Sequence, residues 1–314
     1  MILTVTLNAA VDKTYRVSNF TLDRVHRTAE WRDAAGGKGI NVARVHRTLG
    51  GEAVATGFLG GFNGRFIRSA ITSEGLEGRF VRTAEESRVC IAIVDPVTHT
   101  QTEVNEVGPR VTAAEVAALK RKFERLLAER TFDFAVLSGS IPPGVPSDVY
   151  HDLIGAAKRR SVRVVLDTSG EPLRIGFEAR PWMLKPNAYE MAVIGGEIDG
   201  DDASIERAAQ SLLGTGVEAV CVSQGRRGCV AVTAGESWKA VPPEIEFVSA
   251  VGSGDSFLGA FLQGTLGGRS FAESVRLAVG AGAANAAVYG SGFCTREAIC
   301  GLAERVEMLR MTRL

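Results

Sequence analysis

A chain of 314 residues with 45% apolar and 23% charged residues has ordinary globular usage, near the size at which one hydrophobic core stops growing, so a disordered or fibrous protein is excluded. Its 36 basic and 36 acidic residues cancel, so no general attraction to nucleic acid or to an anionic membrane is expected. No apolar run approaches the ~20 residues of a membrane span and no basic stretch opens a signal peptide, so a cytosolic protein is expected. Five cysteines without a C-x-x-C pair give neither a disulfide framework nor a zinc site, and four histidines without H-E-x-x-H spacing, together with the lack of a G-x-S-x-G elbow, disfavour hydrolases. Glycine is the unusual component: 36 of 314 residues, against roughly 7% on average, which points to tight turns or close backbone approach to a ligand.

In chain order, the uncharged run 2–7 reads as a buried strand. Residues 41–49 place Val42, Val45 and Leu49 at helical spacing before a Gly50-Gly51 stop, and 53–60 is a second strand. Runs 90–94 and 101–104 flank a turn at Asp95-Pro96 and predict a hairpin. From there helix and strand alternate: helix 113–129, strand 134–140, helix 147–160, strand 162–170, then 182–187 after a short connection. A helix through 205–213, a strand at 218–225, its hairpin partner at 228–233 and a polar stretch to Pro243 follow. A second helix in this part opens after Gly254 with Phe257, Leu258, Phe261, Leu262 and Leu266 on one face. The alternation predicts an α/β fold with a mainly parallel sheet, in one domain with insertions.

Three segments carry chemistry. In A-A-G-G-K-G-I-N-V-A-R, Gly36, Gly37 and Gly39 precede a helix, so backbone N–H groups can approach a ligand, with Lys38 adding charge and Asn41 an amide; a tight turn with a solvated lysine is the alternative. The run is neither a Walker A loop nor a dinucleotide fingerprint. In V-G-S-G-D-S-F-L-G-A-F, Gly252, Ser253 and Gly254 lead into an amphipathic helix whose free N–H groups and positive end favour an anion. Asp255 in the first turn reads equally as a helix-dipole acid or as a base that takes a hydroxyl proton during phosphoryl transfer. After Lys185-Pro186, Asn187 and Glu190 stand three apart, which suits a capping box and also suits a hydrated Mg²⁺.

These segments, in this order and over nearly the whole chain, resemble the ribokinase (PfkB) family of carbohydrate kinases, with V-S-Q-G-R-R-G similar to its nucleotide loop. Within the family, the opening residues, S-G-S-I-P-P-G and G-F-L-G-G-F-N-G-R-F-I are most similar to the tagatose-6-phosphate kinases and 1-phosphofructokinases. The resemblance implies a three-layer α/β/α sandwich formed by 1–10, 36–87 and 108–314, with a small β lid at 11–35 and 88–107 that pairs two subunits. It implies ATP and Mg²⁺ as cofactors and Asp255 as catalytic base, with Gly252, Ser253 and Gly254 as its anion hole. By the same carry-over Asn187 and Glu190 would hold Mg²⁺ through water, and Lys185, Ser223, Gly225 and Gly228 would line the nucleotide site, with Asn285 near the adenine. Asp12, Gly36, Gly37, Asn41 and Ser138 would meet the sugar. Two positions depart from the family pattern: Gln224 stands where leucine is common, and Ser249-Ala250 replaces an acid-threonine pair.

For the acceptor, Arg24, Arg27, Lys38 and Arg88 are either solvated surface charge or a phosphate grip. Arg88 opens a lid strand resembling that of the sugar-phosphate kinases, so the expected acceptor is a ketohexose phosphate (tagatose 6-phosphate, fructose 6-phosphate or fructose 1-phosphate) held by Arg88, Lys38 and Arg27. A neutral-sugar or nucleoside kinase, a non-catalytic sugar- or nucleotide-binding protein and a nicotinamide oxidoreductase are the rivals. The last lacks a G-x-G-x-x-G turn after any predicted strand.

Overall fold

The structure is a computed structural model that describes residues 1–196 and 198–311. In chain order its elements are β1 (Ile2–Thr6), β2 (Ala10–Arg16), β3 (Trp31–Gly36), α1 (Lys38–Thr48), β4 (Ala53–Gly60), α2 (Gly61–Ser73), β5 (Glu77–Gly78), β6 (Val81–Thr83), β7 (Arg88–Asp95) and β8 (Thr100–Asn105). They continue with α3 (Ala113–Glu129), β9 (Phe134–Ser138), α4 (Val149–Lys158), β10 (Arg163–Asp167), α5 (Gly170–Glu178), β11 (Met183–Leu184), α6 (Ala188–Gly195), α7 (Asp202–Leu213) and β12 (Ala219–Ser223). The last are β13 (Cys229–Thr233), β14 (Ser237–Val241), α8 (Ser253–Leu266), α9 (Phe271–Ala286), α10 (Arg296–Glu304) and β15 (Glu307–Arg310).

Among the described residues an eleven-stranded sheet runs β15-β14-β13-β12-β11-β10-β9-β1-β4-β5, with β6 paired to β4. From β12 to β5 the pairing is parallel, and β13, β14 and β15 close one edge antiparallel. The side-chain period of two splits each central strand between two cores. Leu3, Val5, Ala135, Leu137, Val164 and Leu166 pack with α3, α4, α5, α6 and α7, whereas Ile2, Phe134, Val136 and Val165 pack with α1, α8 and α9. The result is the expected α/β/α layering, buried on both faces.

A separate four-stranded sheet, β3-β2-β7-β8, is built from the two segments that leave the main body after β1 and before α3. Its β7–β8 hairpin follows the register expected from the Asp95-Pro96 turn, and the buried Asp95 carboxylate accepts from the Asn19, Phe20 and Val97 amides, which ties the β2–β3 loop to that turn. The sequence reading omits α2, α5, α9, α10 and β15, and several boundaries differ from it. Helix α1 starts at Lys38, because Gly37 at φ 118 serves as its N-cap, and α8 starts at Ser253 after Gly252 in the left-handed region. The polar stretch before Pro243 contains a true strand, β14, whose Ser237 and Lys239 are buried.

Helices α1 and α8 cross in close contact at Gly259, where a Cβ would lie 2.6 Å from the Val42 carbonyl oxygen and 3.0 Å from the His46 amide nitrogen. Replacing glycine by alanine in a helix gains about 1 kcal/mol of propensity, but overpacking against a backbone that cannot yield costs about 1–3 kcal/mol. Gly259→Ala is therefore expected to lower the melting temperature by several degrees in calorimetry. A melting temperature at or above the parent's would show that the two helices separate freely.

Candidate active site

The parallel strands end in one row. Thr6 of β1 pairs in register with Ser138 of β9, and Ser138 with Asp167 of β10. Lys185 follows β11 directly, and Ser223 ends β12. Because β1 connects to β4 on one side while β9 lies on its other side, the crevice beyond β1 and β9 is a topological switch point, the usual ligand position in an open α/β sheet. A polar cleft opens there, lined by Thr6, Asn8, Lys38, Arg88, Ser138, Gly139, Ser140, Thr168, Ser169 and Glu190. Three buried atoms of its lining residues, Thr6 Oγ1, Asn8 Oδ1 and Ser138 Oγ, have no hydrogen-bond partner among the described residues.

Two helix N-termini converge on this edge. The first turn of α8 has no side-chain cap, and among the described residues the Gly254 and Asp255 amides meet no acceptor. Gly252 needs both its positive φ and its missing side chain, since a Cβ would lie 2.5 Å from that of Ser291. At Gly254 a Cβ would lie 3.1 Å from Lys185 Nζ, so the ammonium rests against the loop. Free amides, a positive helix end and a lysine together are suited to an anion.

Asp255 does not cap its helix. Its carboxylate is 5% exposed and accepts from Asn41 Nδ2 at 2.8 Å across the α1–α8 contact. Behind it Asp167, fully buried, accepts from Lys38 Nζ at 3.2 and 3.3 Å and faces Lys185 Nζ at 3.4 Å. Burial would raise the Asp167 pKa, but Lys185 and Lys38 outweigh it and hold the carboxyl below its ordinary range. Asp167 in turn is the main influence that raises the Lys38 pKa. Burial pushes the Asp255 carboxyl up to about 6, opposed by Lys38, the Asn41 bond and Lys185 and reinforced by Asp167. Burial also pushes Asp12, on β2, up to about 7, with Arg44 and Arg88 opposing and Asp255 and Glu103 adding to the rise. A carboxyl poised near neutrality beside free amides can take a hydroxyl proton while those amides face a moving phosphoryl group.

The other residues singled out from the sequence fall in several places. Gly36 and Gly37 lie at the β3–α1 junction, and a Cβ on Gly36 would overlap the Asp12 carboxylate. Arg88, half-buried on β7, donates from Nε to the Asn8 carbonyl at 3.2 Å and from Nη1 to the Glu106 carbonyl at 3.0 Å. Arg24 and Arg27 are exposed on the β2–β3 loop, outside the cleft lining. Asn187 and Glu190 form a capping box, Asn187 Oδ1 accepting from the Glu190 amide and Glu190 Oε2 from the Asn187 amide, both at 2.8 Å. That leaves one Glu190 oxygen without a partner while Glu190 lines the cleft. The unpartnered Glu190 oxygen on the cleft wall suits a hard cation that keeps several waters, and among the described residues no group of three or more His, Cys, Asp or Glu side chains is placed to hold a metal.

Ser223 lies beside Asn187, linked by its amide to the Pro186 carbonyl at 3.0 Å. Gly225 is exposed in the turn that follows, whereas Gly228 is buried, its absent side chain leaving room for the Ala240 carbonyl. Gln224 has a structural reason to depart from leucine. It accepts from the buried Lys239 ammonium and donates to Asp202 Oδ1 at 2.8 Å, and Lys239 reaches the same Asp202 oxygen at 2.8 Å. Asn285 is fully buried and spent inside the protein, donating to the Val251 carbonyl at 2.8 Å and to Ser253 Oγ at 3.2 Å and accepting from the Gly292 amide at 2.7 Å. Its amide braces the anion loop. Sequence reasoning missed Asp167, Asn8, Arg44 and the Lys239–Asp202 pair. Of these only Asp167, an acid ending an apolar strand run, carries a local signal.

Comparison with known proteins places the chain in a family. The model of the pfkB family carbohydrate kinases matches residues 5–298. The chain is 37% identical to 1-phosphofructokinase of Rhodobacter capsulatus over 278 residues, 88% of this chain and 87% of that protein. It is 32% identical to tagatose-6-phosphate kinase of Staphylococcus epidermidis over 314 residues, 99% of this chain and 100% of that protein. Phosphofructokinase-2 from Escherichia coli, in complex with substrates and products, superimposes with a TM-score of 0.90 at 28% identity, covering 97% of this chain and 98% of that one. Sequence and fold agree over almost the full length: the chain belongs to the pfkB family of carbohydrate kinases and is a phosphotransferase with an alcohol group as acceptor.

Proposed function

We propose that the chain transfers the γ-phosphoryl group of ATP to a ketohexose phosphate, giving the bisphosphate, with Asp255 as general base. The observation that carries this reading is the placement of Asp255: a buried carboxylate, held by Asn41, at the start of the helix whose Gly254 and Asp255 amides are free and within the influence of Lys38 and Lys185. Asp255 takes the proton of the attacking hydroxyl, and the Gly254 and Asp255 amides with Lys185 oppose the charge on the moving phosphoryl. Asn187 and Glu190 would hold Mg²⁺ through water, and the ion would neutralise phosphate charge. The acceptor's own phosphate is gripped by Lys38 and by the free Nη2 of Arg88, while Asp12 and Asn41 meet its hydroxyls. Ser223, Gly225 and Gly228 shape the nucleotide side.

The four-stranded sheet, within residues 11–35 and 88–107, serves as a lid that excludes water, the competing acceptor. It also joins two copies, in keeping with Leu22, Val25 and Trp31, which are 84%, 81% and 63% exposed around it. Light scattering should give a dimer at micromolar concentration. A monomer there would remove that part of the reading.

Asp255→Asn is expected to keep ATP binding in calorimetry and to lower kcat by about 10²- to 10⁴-fold; near-normal turnover would take Asp255 out of the mechanism. Because Asp255 must be ionised and lies near Asp12, the parent's kcat/KM should fall on the acid side with an apparent pKa of about 6 to 7. Arg88→Ala should raise KM for the phosphorylated acceptor by about 10- to 100-fold, since a charged hydrogen bond contributes roughly 1.5–3 kcal/mol. ADP release measured side by side with tagatose 6-phosphate, fructose 1-phosphate, fructose 6-phosphate and fructose decides the acceptor. Equal use of fructose, or equal losses on it in Arg88→Ala, would overturn phosphate recognition.

A further inference from the structure

We propose that Arg44 is a positioning residue for the reaction: its guanidinium fixes which way the Asn41 amide faces and so keeps a hydrogen-bond donor on Asp255. This rests on the reading of Asp255 as the base. Arg44, on α1, is 5% exposed and its donors are committed. Nε and Nη2 reach Glu74 Oε2 and Oε1 at 2.7 and 3.2 Å, Nη1 reaches Asn41 Oδ1 at 2.8 Å and the Ser291 carbonyl at 2.9 Å, and Nη2 also reaches the Ala35 carbonyl at 2.7 Å. The Phe293 ring packs against it, its centroid 4.3 Å from Cζ, and Arg32 of β3 stacks on the same ring at 3.6 Å.

Arginine carries donors only, so the Asn41 atom that faces it must be the carbonyl oxygen. The amide nitrogen is thereby turned to Asp255 Oδ2, 2.8 Å away. Without the guanidinium the amide is free to turn over and present its oxygen to the carboxylate, a contact that attracts only when Asp255 holds a proton. Lys38 at the start of α1 and Lys185 after β11 also favour the ionised form, while Asp167 of β10 and Asp12 of β2 oppose it. The same guanidinium joins three parts of the site: Ala35 at the root of the second sheet, α1, and Ser291, against which Gly252 of the anion loop packs.

The experiment compares the parent, Arg44→Lys and Glu74→Gln as purified folded proteins with ATP and the parent's best acceptor. Lysine keeps the charge but loses the fork that meets Asn41, Ser291, Ala35 and Glu74 together. Arg44→Lys should lower kcat by about 10- to 100-fold, leave KM for ATP within about twofold, and move the acid limb of kcat/KM upward by about half a pH unit or more. The loss is then greater at low pH than at high. A merely structural role would reduce yield or melting temperature and leave that limb in place. Glu74→Gln, which loosens Arg44 from the side away from Asp255, should give a smaller loss with a limb shift of the same sign.

A folded Arg44→Lys protein with kcat within about threefold of the parent and an unmoved limb overturns the proposal. If Arg44→Lys does not fold, parental kcat and limb in Glu74→Gln overturn it. An inactive parent, or an active Asp255→Asn protein, sinks the underlying base reading instead, so the two failures are distinguishable.

Discussion

Two lysines and two aspartates meet where the central strands end, and the arrangement of the site follows from keeping that group balanced. An unpaired charge buried there would cost several kcal/mol, so each must be compensated within a few ångströms. Lys38 and Lys185 both turn to Asp167, which is the more deeply enclosed acid and ends a strand with no freedom to move. Asp255 is left with a neutral amide as its hydrogen-bonding partner and with the lysines only as neighbours. Under the proposed reading, that inequality separates the roles of two chemically identical side chains: Asp167 absorbs the lysine charge, and Asp255, raised by burial, is left to act as the base.

The backbone sets the stage for this balance. The starts of α1 and α8 both point at the strand ends, so two positive helix ends face one volume. Their axes can approach closely because Gly259 offers no side chain at the crossing, and the Asn41–Asp255 bond spans that contact. The glycines at 36 and 252 act in the same way, the first leaving space for Asp12 and the second for Ser291. Part of the glycine in the composition thus serves close approach of chain segments and charges at the site, while other glycines, such as Gly170, Gly200 and Gly235, have open space beside them.

How much of this was legible in the sequence depended on how local each cause is. The glycine runs before α1 and α8, the α/β alternation and the hairpin at Asp95 are written in consecutive residues, and they were read with boundary errors of a few positions. Asp167 carries a local signal, an acid that ends an apolar strand run, but its role depends on Lys38, which lies 129 residues away and is not legible in the strand. The stretch to Pro243 reads as polar, yet it contains β14, whose Lys239 is a buried cation that requires Asp202 and Gln224, partners distant in sequence. Asn285 shows the converse. Its position resembled a nucleotide contact, but every polar atom of its side chain is already bonded within the protein.

Hydrogen-bond satisfaction therefore sorts the polar residues of the site better than position does. Asn285, Arg44 and Lys239 have partners for their donors and build the frame. Thr6, Asn8 and Ser138, all lining the cleft, keep buried oxygens without any partner, which costs about 1–3 kcal/mol apiece in the free protein. A ligand rich in hydroxyls and phosphate oxygens recovers that cost on binding, whereas one lacking them leaves the deficit in place. Under the proposed reading, the cleft thus discriminates by what its own walls lack, and the charges of Lys38 and Arg88 add the anionic requirement on top. Acceptor choice and proton removal are then separable functions, one set by the ends of β1 and β9 and the other by the contact between α1 and α8.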